Sequence, residues 1–124
     1  MKPLDLPATD TTPKVVFNPA GPVLRFEGES YPENVSSFFG PVHAWLKEYL
    51  ATGPTFRVEL AFTYLNTSST KAVLDLLLAL EEFHRSGGKV SVTWFYQPGI
   101  EVMQEAGEEF GLDLTLPYQL SAWN

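Results

Sequence analysis

Cysteine is absent from the 124 residues, which excludes disulfide staples, thiolate nucleophiles and cysteine-ligated zinc together. Basic residues are scarce: eight Lys+Arg stand against fifteen Asp+Glu, a formal charge of −7. No broad positive field exists to neutralise phosphates or anionic lipid, so neither nucleic acid nor a membrane surface is expected as a partner. No run approaches the ~18 apolar residues of a membrane span, and Met1-Lys2-Pro3-Leu4-Asp5 lacks the apolar core of a secretory signal. A reducing cytoplasm is the expected location. The two histidines, His43 and His84, fall on different predicted helices with no acid or nucleophile at triad spacing. Gly87-Gly88 follows a helix and precedes a strand, the reverse of a phosphate-cradling loop. Glu101, Glu105, Glu108 and Glu109 read as the solvated side of an amphipathic helix, so no metal site and no cofactor are expected.

What is present suffices for one folded domain. With 44% hydrophobic and 14% aromatic residues, a chain of this size buries roughly two-thirds of the surface its unfolded form exposes. Six of the ten prolines precede residue 33, and residues 1–13 read as an extended, partly mobile N-terminal arm. The domain itself is placed at 14–124. Val15-Val16-Phe17 and Val23-Leu24-Arg25-Phe26 flank the turn residues Asn18 to Pro22, the pattern of a β-hairpin.

From Val35 the apolar period lengthens. Val35, Phe38, Phe39, Val42, Trp45, Leu46, Tyr49 and Leu50 fall on one helical stripe. Asn34 is its expected N-cap, Ser30 and Glu33 have the spacing of an alternative capping box, and Pro41 predicts a bend near Gly40-Pro41. Phe56 to Leu65 alternates and then becomes wholly apolar, as for a central strand covered on both faces. Thr70 to Ser86 carries a second stripe of Val73, Leu76, Leu77, Leu80 and Phe83, its apolar face widened by Leu74 and Leu78, closed by Gly87-Gly88. Val90 to Tyr96 is a further strand, Val102 to Phe110 a short amphipathic helix, and Leu112 to Tyr118 is compatible with an edge strand that tolerates Pro117. Successive β-α-β units imply an α/β fold with a mostly parallel mixed sheet of four to five strands, about three helices and right-handed crossovers.

One segment carries more polar chemistry than its position requires. Between the central strand and the second helix, Asn66 to Thr70 are five consecutive polar residues, four of them hydroxylic. Asn66, Thr67 or Ser68 serves as a helix N-cap in the plainer reading. In the second reading one hydroxyl accepts a phosphoryl group, whose roughly −1.5 to −2 charge would meet the positive end of the helix dipole. Lys71 stands one turn downstream, where it could screen that charge. A third reading keeps the same helix N-terminus, residues 66–71, as a non-covalent anion or small-ligand site, or as part of an enzyme subunit.

Tyr64-Leu65-Asn66-Thr67-Ser68-Ser69-Thr70-Lys71, together with Phe26-Glu27-Gly28-Glu29-Ser30-Tyr31-Pro32-Glu33-Asn34, Trp45-Leu46 and Trp94-Phe95-Tyr96, resembles the bacterial SiaC-type regulatory phosphoproteins. The similarity covers nearly the whole chain after its first few residues. It implies a single STAS-like domain without catalytic activity of its own, acting in a partner-switching system. It further implies that a cognate protein kinase phosphorylates Thr67, that a PP2C-type phosphatase reverses this, and that the unmodified form binds and stimulates an effector such as a diguanylate cyclase. Ser68 and Ser69 are the fallback acceptors, with Asn66 and Lys71 as supporting residues. Tyr31, Pro32, Glu33 and Asn34 have the plain reading of a staple and turn before the first helix. The resemblance adds that this loop lines a partner-binding face beside Thr67.

Overall fold

A computed structural model describes residues 3–123. The elements run β1 (Asp5–Leu6), β2 (Lys14–Asn18), β3 (Val23–Ser30), α1 (Val35–Leu50), β4 (Thr55–Leu65), α2 (Thr67–Arg85), β5 (Lys89–Tyr96), α3 (Glu101–Gly111) and β6 (Tyr118–Ala122). They form one six-stranded mixed sheet in which spatial order equals chain order. β1, β2 and β3 pair antiparallel, and β3 through β6 pair parallel through the three helical crossovers.

Because the crossovers all step in one direction and share one hand, the helices collect on one side of the sheet. Ring contacts trace that side: Phe17 meets Trp45 and Tyr49, Phe56 meets Tyr49 and Phe83, and Trp94 meets Phe110. On β4 the alternate residues Phe56, Val58, Leu60 and Phe62 are buried there, each contributing roughly 1.5–3 kcal/mol. Their neighbours Arg57 and Glu59 point the other way, onto an open face where Arg25 bridges Glu27 and Glu59 and lies 5.2 Å over the Phe95 ring. The expectation of a strand covered on both faces is therefore corrected. The Arg57/Glu59 alternation, rather than the apolar run from Leu60, reported the layering.

Two further differences have identifiable causes. The sheet has six strands rather than four to five, because the segment before Lys14 contributes β1, held by Asp5↔Val16, Leu6↔Val15 and a bond from Phe17 N–H to the Leu4 carbonyl. The last strand begins at Tyr118, where the expected one ended. Leu114 and Leu116 are apolar because they pack into the core from a loop. That loop is clamped by Glu81 of α2, which accepts from the Thr115 and Leu116 amides at 2.8 and 3.0 Å and from the Thr115 hydroxyl. α1 runs as one helix through Gly40 and Pro41, with Pro41 on its exposed side.

Packing of α3 depends on a missing side chain. Gly107 lies flat against Trp94, whose ring any Cβ there would overlap, and the Trp94 indole donates to the Met103 carbonyl at 2.9 Å.

Candidate functional site

At the carboxyl edge of the sheet, β3 and β4 end together, with Ser30 opposite Leu65. A register shift at Gly28/Glu29, where Gly28 has φ 115°, brings this about; a residue with a Cβ adopts such a φ only with strain. The Asn66 amide then donates to the Ser30 carbonyl at 3.0 Å, fastening the start of α2 to the end of β3.

Asn66 is the N-cap, with extended φ −78°, ψ 175°. Its side-chain oxygen accepts from the Ser69 amide at 2.9 Å, and its carbonyl accepts from the Thr70 amide and hydroxyl, each at 2.9 Å. The first four amides of a helix lack intrahelical partners. Asn66 satisfies one of them, and no hydrogen bond is found from those of Thr67 and Ser68 among the described residues. α2 has no acidic residue in its first turn, so its own first turn does not neutralise the positive end of its dipole.

The four hydroxyls separate by helical phase. Thr67, the first residue of α2, is exposed. Ser68 is also exposed and donates to the Asn66 side chain at 3.3 Å. Ser69 is fully buried and hydrogen-bonded to the Ser30 hydroxyl at 2.8 Å. Its role as a fallback acceptor is corrected: no phosphoryl donor reaches that oxygen without opening the core. The same bond removes the Ser30–Glu33 capping box, because the Ser30 hydroxyl is turned to Ser69.

Lys71 stands one turn beyond Thr67 on the outward ridge, paired with Asp75 at 3.5 Å. The ridge continues through Leu74 and Leu78, both exposed. Across from it, the rings of Tyr31 and Tyr64 meet edge to face at 6.1 Å while remaining 39% and 50% exposed. Of the upstream loop, Pro32 is buried, Glu33 is exposed, and Asn34 caps α1 by accepting from the Ser37 amide at 3.2 Å. A cavity of about 310 Å³ between α1 and α2 touches Ser36, Ser68 and Lys71. Both sequence-selected loops therefore converge on one edge. Two further residues belong with them: Tyr64, the last exposed aromatic of β4, and Ser30, read from sequence as half of a capping box but in fact the buried partner of Ser69. The 69, 73, 76, 80 spacing that marks the buried stripe of α2 could have revealed that Ser69 faces inward.

No cluster of three or more His, Asp or Glu side chains placed to hold a metal occurs among the described residues, and no helix among them is long and apolar enough to cross a membrane.

The model of the SiaC family of regulatory phosphoproteins matches residues 6–122. The chain belongs to that family. A Pseudomonas aeruginosa protein of strain UCBPP-PA14 is 39% identical to this SiaC-family member over 123 residues, covering 98% of each chain. Among solved structures, SiaC of Pseudomonas aeruginosa superposes with a TM-score of 0.91 at 39% identity, over 99% of this chain and 100% of that one. A second, the diguanylate cyclase SiaD in complex with its activator SiaC, matches with a TM-score of 0.91 at 40% identity, over 97% of this chain and 99% of that one.

Proposed function

We propose that this chain is a non-catalytic cytoplasmic signalling protein switched by reversible phosphorylation of Thr67. A cognate protein kinase adds the phosphate, a PP2C-type phosphatase removes it, and the unmodified form binds and stimulates an effector of the diguanylate cyclase class, raising cyclic di-GMP. The observation that carries this reading is the Thr67 hydroxyl: exposed, first in α2, beside two amides from which no hydrogen bond is found among the described residues, in a first turn without an acidic residue. A phosphate there gains charge-assisted bonds from those amides without disturbing the Asn66 cap or the Ser30–Ser69 bond. The fold therefore tolerates both states, as a switch requires.

The unmodified edge presents a neutral hydroxyl among Tyr31, Tyr64, Leu74 and Leu78, chemistry suited to a desolvated protein contact. Phosphorylation places nearly two charges in that contact. Lys71, already shared with Asp75, compensates only part of them, and burying the remainder costs several kcal/mol unless the partner supplies a cation. A few kcal/mol is 100-fold or more in affinity. The complex of a SiaC with the cyclase SiaD, a structure of near-identical fold, supports a cyclase as the effector class.

The test is effector affinity for wild type, Thr67→Ala, Thr67→Glu and the kinase-treated protein, with phosphosite mapping of the last. Tight binding by wild type and Thr67→Ala and strong loss for the phosphorylated form are expected. Equal affinity for all four defeats the mechanism.

A further inference from the structure

At the opposite pole of the sheet from Thr67, where β4 and β5 begin, lies a cavity of about 420 Å³. Its walls include Phe56, Val90 and Pro117, and its charged lining consists of Arg57 and Lys89, with His84 at the end of α2. No carboxylate lines it, although the chain carries fifteen Asp+Glu against eight Lys+Arg. The local charge is thus opposite to that of the molecule.

Strand register holds the two cations together. Thr55 faces Lys89 and Arg57 faces Ser91, so Arg57 and Lys89 are diagonal neighbours on the open face of adjacent strands, within reach of each other's long side chains. Neither side chain joins any ion pair found among the described residues, whereas Arg25, Lys71 and Arg85 each engage a carboxylate. Like charges placed this way repel, and an oxyanion seated between them turns that repulsion into two charge-assisted contacts. The volume falls within the ~300–1,000 Å³ range of small-molecule sites, which combine apolar walls with a few polar anchors.

We infer that this pole is a binding site for a small molecule bearing a phosphate or carboxylate on a flat apolar body of about nucleotide size. The oxyanion sits between Arg57 and Lys89, and the body lies along Pro22 and Pro117. The site is independent of Thr67 and would let the protein read a metabolite at one end while its partners read the other.

Amide chemical-shift titration of the full chain with adenosine 5′-monophosphate, inorganic phosphate and adenosine tests it. The nucleotide should shift Thr55 to Arg57 and Gly88 to Ser91, inorganic phosphate should shift the same amides more weakly, and adenosine should barely move them. A carboxylate-bearing probe, benzoate, binding more tightly than the nucleotide selects the carboxylate branch of the same inference. Arg57→Gln with Lys89→Gln should weaken binding about ten-fold per cation removed, and Thr67→Ala should leave it unchanged. Both replaced side chains are exposed, and a thermal melt checks that the fold persists. The inference is overturned by an absence of shifts, by adenosine matching the nucleotide, by shifts centred on Thr67 to Thr70, or by an equal loss in Lys47→Gln, which removes the same charge elsewhere.

Discussion

The two ends of α2 are built on opposite plans. At its start, Asn66 satisfies the Ser69 amide, while Thr67 is exposed and no hydrogen bond is found from the amides of Thr67 and Ser68 among the described residues. Near its end, the Glu81 carboxylate is buried and every bond it can make is made, to Arg85, to both backbone amides of Thr115 and Leu116, and to the Thr115 hydroxyl. One end stores unmade interactions and so can accept a new group. The other has none left and so fixes the loop that delivers β6. On the proposed role of Thr67, a single helix holds a switch at one terminus and an anchor at the other.

The sharpest way to break this comparison is to modify the open end. Stoichiometric phosphorylation of Thr67 should weaken effector binding by about 100-fold or more while shifting the melting temperature by only a few degrees. Thr67→Glu, with a single charge and planar oxygens, should fall between that and wild type. Calorimetric titration and a thermal melt on the same samples separate the two effects. A phosphoprotein that melts far below the unmodified one would make the open end structural rather than regulatory.

At the anchored end the expected effect falls on stability and on its pH dependence. Glu81 is held at about 2 against an ordinary value of 4.5, first by the Thr115 hydroxyl bond, opposed by burial, and then by Arg85 and the amides of Thr115 and Leu116. A carboxyl whose folded value lies below its unfolded one stabilises the fold above the unfolded value, and the contribution is lost as pH falls through the folded one. Wild type should therefore lose stability between about pH 4.5 and 2. Glu81→Gln should melt several degrees lower at neutral pH, with that acid-dependent step reduced. Urea denaturation across the pH series reads both, and an unchanged step in the variant would assign the acid sensitivity to other carboxyls.

The same contrast explains what the sequence disclosed. Helical phase placed the centre of both stripes, since Phe39, Val42, Trp45 and Leu46, like Val73, Leu76, Leu77 and Leu80, are buried where the spacing put them, but Leu74 and Leu78, read as widening the second stripe, are exposed. A cap is local chemistry, so the sequence narrowed it to Asn66, Thr67 or Ser68, and the structure selects Asn66, with α2 starting at Thr67 rather than Thr70. The last strand was misplaced because its loop is set by Glu81, 34 residues upstream of Thr115, and a long-range clamp leaves no local signature. β1 is two residues long and owes its form to pairing with β2. Four adjacent hydroxyls looked equivalent, and only their phase against the sheet distinguishes the exposed Thr67 from the sealed Ser69.

That last pair gives an internal control. Ser69→Ala leaves the buried Ser30 hydroxyl without its partner and should cost about 1–3 kcal/mol. Ser68→Ala removes an exposed 3.3 Å bond and should stay within about 0.5 kcal/mol. Asn66→Ala falls between, at about 1 kcal/mol, the usual value of an N-cap. Chemical denaturation ranks the three, and equal costs for Ser68 and Ser69 would contradict the assigned phase.

The smallest effect is the most discriminating for the switch. Lys71 and Asp75 form an exposed pair at 3.5 Å, with side chains 77% and 49% accessible, a geometry worth at most a few tenths of a kcal/mol. Lys71→Ala should therefore leave the unmodified protein's stability within about 0.5 kcal/mol of wild type. In the phosphorylated protein Lys71 has a second, more highly charged neighbour one turn away, and its removal leaves the phosphate to the helix amides alone. The variant should lower the melting temperature of the phosphoprotein more than that of the unmodified chain, and added salt should narrow the gap as it screens the exposed charges. A gap that is absent at low salt would remove Lys71 from the switch and leave the start of α2 to hold the phosphate by its amides and dipole.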